Sequence, residues 1–254
     1  MQVIMSPAKL LNYKELEQDR MITSQPSFGQ QTDELLQICQ QLSVTDIAEQ
    51  MKVNANIAQT VFEYYQTYHA ESTPERAAAL AYNGIAYQGL GAHDFDEEEV
   101  SYAQQHLNLI SAFYGVLRPF DAIKPYRLEF SRKIQPEGYR TLYAYWREAI
   151  NSYMSERLQG DEQVIINVAS KEYSKNLVAK LLPSDTRIID IEFLQQKGEE
   201  LKQVVVHSKK ARGLMARFII KNQLKHSEEV KLFDYEDYFF YPQLSTDDKW
   251  VFVR

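Results

Sequence analysis

The chain predicts an α+β or mixed α/β fold: a single compact domain in which a mixed sheet is flanked by helices and carries a basic cleft. Three observations lead there. Short apolar runs rich in β-branched residues, such as Val164–Val168 and Arg187–Leu194, are scattered between longer stretches of helical character instead of being grouped. No Pro-, Gly- or Ser-rich stretch separates two parts, so residues 1–254 read as one domain. Basic side chains are concentrated in two places in a chain whose net charge is −7.

In chain order, Gln2–Met5 reads as a short buried strand leading into Ser6-Pro7. Residues 28–70 read as successive helices, with Ser43 and Asn54 as N-caps because a short polar side chain there accepts from a free backbone N–H. Thr73-Pro74 predicts another helix start, with Pro at the first helical position. Asn83-Gly84 and Gly89–Gly91 predict turns or short strands. Asp94–Glu99 places acids where the macrodipole favours them, opening a helix from Asp96 to Tyr114 that Gly115 closes. Arg118–Gly138, with three prolines, reads as loop. A helix over Thr141–Leu158, the Val164–Val168 strand and a helix over Ser170–Leu181 follow. Arg187–Leu194 and Glu200–His207 read as strands of a hairpin turning at Lys197-Gly198. Ser208–Leu224 reads as a helix, and Tyr238–Tyr241 and Lys249–Val253 as closing strands.

Composition excludes several classes. The hydrophobic share of 44% and charged share of 25% are ordinary for a globular protein. No apolar run of about 18 residues exists, and the N-terminal apolar run is too short for a signal peptide, so a membrane partner is not expected; a single cysteine suits a reducing cytoplasm, and a monomer is expected. Cys39 is the single cysteine, so no intramolecular disulfide forms; it lies in a helical pattern as a packed thiol. The five histidines are dispersed, no Cys/His spacing suggests a metal, and no Gly-rich phosphate loop or dinucleotide fingerprint suggests a cofactor.

Positive charge marks the candidate sites. Residues 208–225 sum to +6 and residues 118–147 to +4, leaving the rest of the chain at −17. On a helix, Lys210, Arg217, Lys221 and Lys225 share an arc of about 80° beside an apolar arc. Such a stripe can track phosphates, or simply be a solvated face. Gly213 inside that helix costs about 1 kcal/mol against Ala, which close approach of another backbone or a ligand would explain. Arg118 and Arg127 sit on proline-stiffened turns with Tyr126, offering guanidinium forks to phosphate and a ring to a base; a loop-tying ion pair with Glu129 is the other reading. Asn167–Tyr173 and Ser6–Lys9 are strand exits, where open α/β sheets hold ligands, although Ser170 also suits a simple N-cap.

At these same places the chain resembles the YaaA family of bacterial peroxide-stress proteins. The matching segments are IMSPAK at 4–9, YNGIAYQGL at 82–90, QQHLNLISAFYGVLRPFDAIKPYRLEF at 104–130, LYAYW at 142–146, NVASKEY at 167–173, KKARGLMARFII at 209–220 and YFF at 238–240. The resemblance implies a cytoplasmic protein of one compact mixed α/β domain. Members limit peroxide damage by lowering the free iron that drives DNA oxidation, and are linked to DNA binding through a basic cleft and a helix-hairpin-helix element. Gly84–Gly91 is the candidate for that element, with imperfect glycine spacing. Distant relatives act on nucleic-acid bases. Carried over, the motif positions are Ser6, Lys9, Arg118, Tyr126, Arg127, Asn167, Ser170, Tyr173, Lys209, Lys210, Arg212 and Arg217. The chain departs from the pattern where Leu10 replaces the usual Thr, Lys171 an Asn or Asp, and Phe130 a Met.

Two functions follow as expectations. One is DNA binding through Arg118, Tyr126, Arg127, Lys209, Lys210, Arg212, Arg217, Lys221 and Lys225. The other is an enzyme acting on a base or nucleotide, glycosylase-like, in the same cleft, with Ser6, Lys9, Glu129, Asn167, Ser170 and Tyr173 as catalytic candidates; bases within duplexes must then be flipped out. Direct iron sequestration has little support from one Cys and five scattered His.

Overall fold

A computed structural model describes residues 1–14 and 24–254. Its backbone is a mixed sheet of eight strands wrapped by helices. The parallel centre contains β1 (Gln2–Met5), β3 (Leu107–Ser111), β6 (Val164–Asn167), β7 (Arg187–Lys197) and β10 (Lys249–Val253). Antiparallel strands β4 (Gly115–Leu117), β8 (Glu200–Lys202) and β9 (Phe239–Phe240) complete it, in the order β4-β3-β1-β6-β7-β10-β9 with β8 paired to β7. A two-stranded sheet joins β2 (Arg76–Ala77) to β5 (Ala122–Ile123). The central strands are covered on both faces, which is why β1 and β6 are buried at every position and apolar apart from Gln2 and Asn167 at their ends.

The order of strands fixes where a ligand crevice forms. From β1 the chain passes to β3 on one side, and from β6 to β7 on the other, while β1 and β6 are hydrogen-bonded neighbours with Ile4 opposite Asn167. The connections part at this pair. A sheet opens a crevice at such a switch point, outside the carboxyl ends of its strands. The segments that leave β1 and β6 there are Ser6–Leu10 and Val168–Ser170.

The helices are α1 (Gly29–Gln40), α2 (Val44–Met51), α3 (Ala55–Gln66), α4 (Ala78–Ala81), α5 (Ile85–Leu90), α6 (Glu97–His106), α7 (Leu142–Arg157), α8 (Lys171–Ser174) and α9 (Val205–Lys221). Ser43 and Asn54 cap α2 and α3 as their side-chain chemistry predicts. Asp96 and Glu99 form a reciprocal capping box on α6.

Five expectations are corrected. The helix expected from Asp96 to Tyr114 ends at His106, and Leu107–Ser111 is a strand buried at every position beside β1. A short apolar run has no period that separates helix from buried strand. Gly115 closes no helix: it has φ +73° in the β3–β4 hairpin and lies against the ring of Trp146, where a side chain would collide. Thr73-Pro74 leads into strand β2. The glycine-rich stretch from 84 to 91 is helix α5, with Gly84 at its N-cap and left-handed Gly91 at its C-cap. Val205–His207, expected in a strand, is the first turn of α9.

Gly89 and Gly213 explain how α5 and α9 meet. A Cβ on Gly213 would overlap the Ala86 carbonyl oxygen, and one on Gly89 would press on the Lys210 carbonyl. The helices cross backbone to backbone, which ties the chain after the cleft's first wall to the helix that carries Lys209, Lys210, Arg212, Arg217 and Lys221. Cys39 is buried, and burial pushes its thiol up to about 12 despite a hydrogen bond with Tyr65, so it remains a packed thiol. Among the described residues, no helix is long and apolar enough to cross a membrane.

Candidate functional site

A cleft of about 520 Å³ opens at the switch point. Its walls come from the exits of β1 and β6, the start of α5, the first turn of α8 and one face of α9. Ser6, Lys9, Ser170, Tyr173, Lys209 and Arg212 all line it. Residues more than 200 positions apart in sequence are thus brought to one surface by the parallel pairing of β1 with β6 and the α5–α9 crossing.

Ser6 and Ser170 are joined. The Ser170 backbone N–H donates to Ser6 Oγ at 2.8 Å, and the two hydroxyls lie 3.3 Å apart. Ser170 occupies the N-cap position of α8, yet its side chain caps nothing. Tyr87 donates its hydroxyl to the Ser6 carbonyl at 3.0 Å, fixing the loop from below. Asn167 does not line the cleft; it shapes the turn. Its Oδ1 accepts from the Ala169 N–H at 2.9 Å and its Nδ2 donates to Asp190 at 2.6 Å, which aims Ser170 at Ser6.

Arg212 is the anomaly of the site. Its Nε is shut off from solvent and has no hydrogen-bond partner. Burial pulls its pKa down and the charge of Asp190 only partly offsets this. A guanidinium stays charged regardless, so an unpaired one beside a cleft favours an anion. Lys209 lies one turn earlier on α9, exposed, with no ion pair among the described residues.

On the β1 side, Lys9 Nζ lies 3.0 Å from Glu129 Oε1. Glu129 is 2% exposed and also meets Arg127 at 3.4 Å and Arg132. Burial raises its carboxyl, but hydrogen bonds and charge from Lys9 and Arg132 outweigh that and hold it below the usual carboxylate range. Glu129 is therefore the ionised hub of three cations, set behind Lys9 in a niche that Tyr173 also lines. The loop-tying reading of Arg127 is the one the geometry carries.

Other expected positions lie elsewhere. Tyr126 is buried, stacked on Phe113, and hydrogen-bonded to the hydroxyls of Tyr82 at 2.5 Å and Ser111 at 2.9 Å, so its ring cannot stack on a base. Arg118 pairs with buried Asp121 at 3.1 Å, outside the cleft. The α9 stripe is largely neutralised. Arg217 grips Asp94 with two bonds of 2.7 and 2.8 Å and donates to the carbonyls of Leu90 and Gly91. Lys221 meets Glu99 at 2.7 Å and Asp94 at 3.3 Å, and Lys210 pairs with Glu236. Arg217 and Lys221 staple the α5–α6 region to α9, and Lys210 ties α9 to the segment beyond it; of the stripe, only Lys225, just past the helix, forms no ion pair among the described residues. The acids that meet them, at 94, 99 and 236, are distant in sequence, so spacing along α9 could not reveal them.

Two cleft residues escaped the sequence reading. Glu172 is the carboxylate in the cleft lining, its Oε1 accepting from the Ser131 N–H at 3.1 Å. An acid in a first helical turn looks like ordinary dipole complementation, so nothing marked it. Tyr87 sat in a stretch expected to be turn. Among the described residues, no group of three or more His, Cys, Asp or Glu is placed to hold a metal ion.

A mixed α/β sheet with a hydroxyl- and cation-lined crevice at its switch point defines a class of protein that takes its ligand at strand ends. Within that class, the family model described as peroxide stress protein YaaA matches residues 1–244. The chain belongs to that family and is a peroxide stress protein.

Proposed function

We propose that this peroxide stress protein works in the cytoplasm, as a monomer, by holding DNA at the cleft and limiting iron-driven oxidative damage to it. The observation that carries the reading is Arg212: a charged guanidinium with an orphaned, desolvated Nε, lining a cleft beside unpaired Lys209. A phosphate in the cleft would add counter-charge to the Arg212 guanidinium and to Lys209, and charge-assisted bonds to Arg are strong. The contact set differs from the helix stripe, because a cation already bonded to a carboxylate gains little from a phosphate.

The test is the salt dependence of DNA binding. Arg212→Gln and Lys209→Gln together are expected to flatten the slope of log K against log salt by roughly 2, about 0.9 per phosphate contact. An unchanged slope would remove the cleft as the phosphate site.

A second reading, an enzyme acting on a base or nucleotide in the same cleft, is favoured by one observation. The Ser6–Ser170 hydroxyl pair and the Glu172 carboxylate line the same cavity, and binding phosphate requires neither. Incubation with duplexes carrying oxidised bases tests it: release of free base by the wild type but not by Glu172→Gln supports it, and no release rejects it.

A further inference from the structure

Leu10 is 66% exposed, yet its backbone is held on both sides. Its carbonyl accepts from the Asn83 N–H at 2.8 Å, and Asn12 N–H donates to the Ala81 carbonyl at 2.8 Å. Leu11 bridges Tyr82 between them. Ala8, two residues earlier, packs so closely on Gly84 that an added Cβ there would lie 3.0 Å from it. A single exposed apolar side chain is unremarkable. One on an anchored backbone at the lip of a cation-bearing cleft is held where a ligand entering the cleft would meet it.

The cleft behind it has the volume of a small-molecule site, within the ~300–1,000 Å³ that such sites occupy. Pro7, Ala8, Ile85 and Val168 give it apolar wall, and its charged groups are Lys9, Glu172, Lys209 and Arg212, with the serine pair, Asn83, Tyr87 and Tyr173 as the neutral polar ones. Apolar walls with a few converging polar groups suit a planar base, and the cations suit its phosphate. Taking a nucleotide out of a duplex costs unstacking and unpairing, and proteins that open a base step insert apolar side chains between the bases, leucine among them.

We propose that the cleft receives one nucleotide extruded from duplex DNA and that Leu10 is the wedge that enters the stack in its place. The inference rests on the DNA-binding reading above and adds to it a distortion that binding alone does not need.

The probe is a duplex with a fluorescent adenine analogue opposite a mismatched base, compared with its fully paired form and with the single strand. Wild-type binding is expected to brighten the analogue as it unstacks. Leu10→Ala is expected to lose that rise and to lose about tenfold of the preference for mismatched over paired duplex, a change of about 1.4 kcal/mol. Its affinity for the single strand, which has no stack to open, is expected to stay unchanged, and Leu10→Phe to keep the rise. Leu10 is exposed, so the alanine variant is expected to keep the wild-type Tm. Equal brightening by Leu10→Ala and wild type would overturn the wedge. Duplex binding by the wild type with no brightening would overturn extrusion while leaving DNA binding intact. Failure of the wild type to bind any of the three DNAs would end the parent reading, and this one with it.

Discussion

Glu129 shows how much one side chain can hold. Its carboxylate is buried and is met by Lys9, Arg127 and Arg132. Removing the charge leaves partly buried cations uncompensated, a change that typically costs about 3–5 kcal/mol, with the exposed Lys9 contributing the least. Glu129→Gln is therefore expected to lower the Tm at neutral pH. The folded state holds this carboxyl below its unfolded value, so the stabilisation is present above the ordinary Glu pKa of about 4.3 and is lost as pH falls through the folded value. The gap in Tm between wild type and variant should close in that acid window. A gap that stays constant down to strong acid would show that the pairing is not what Glu129 contributes. Arg212 is the converse case. It is charged and desolvated, its Nε has no partner among the described residues and Asp190 offsets only part of the burial, so its cost to the fold is set against what it can bind.

At the scale of elements, the α5–α9 crossing decides the position of the basic residues. Gly213 lies in a helix interior, where replacing glycine by alanine ordinarily gains about 1 kcal/mol in propensity. The crossing reverses that sign. A methyl group would overlap the Ala86 carbonyl, and overpacking of this kind costs about 1–3 kcal/mol, occasionally more. Gly213→Ala is expected to be destabilising by about 3 kcal/mol, with a Tm fall of roughly 2–4 °C for each kcal/mol lost, read by thermal unfolding. A variant as stable as the wild type would mean that the helices separate without cost. The same crossing lets Arg217 reach the carbonyls that end α5, so the stripe and the glycines serve one junction.

At the scale of the molecule, charge has to be counted after folding. The stripe is unopposed in sequence, but Asp94, Glu99 and Glu236 meet three of its four cations in space. Replacing Lys210, Arg217 and Lys221 by Gln is expected to leave the salt slope of DNA binding near the wild-type value. It should cost stability instead, roughly 0.2–1 kcal/mol per pair for such partly exposed bridges. A slope flattened by about three contacts would restore the stripe as the docking face and demote the cleft.

Much of the architecture was legible along the chain. The buried strands at 2–5, 164–167 and 249–253, the capped helices α2 and α3, the long helix α7 and the 187–202 hairpin all carry local chemistry that reads directly. Leu107–Ser111 did not, because burial on both faces erases the alternation that marks a strand. The site divides the same way. Ser6, Lys9, Ser170, Tyr173, Lys209 and Arg212 lie in distinctive segments, and their types could be named without coordinates. Tyr126 misled because a tyrosine on a turn looks available until Tyr82 and Ser111 are seen to hold it.

The linear chain determined the residue types, the caps, the strand exits and the family. Tertiary structure alone decided which cations remain unpaired, since the acids that neutralise them come from elements more than a hundred residues away along the chain or from the segment beyond α9. It also decided that Leu10, Arg212 and the serine pair share one cleft, because parallel pairing of β1 with β6 places the ends of distant strands side by side.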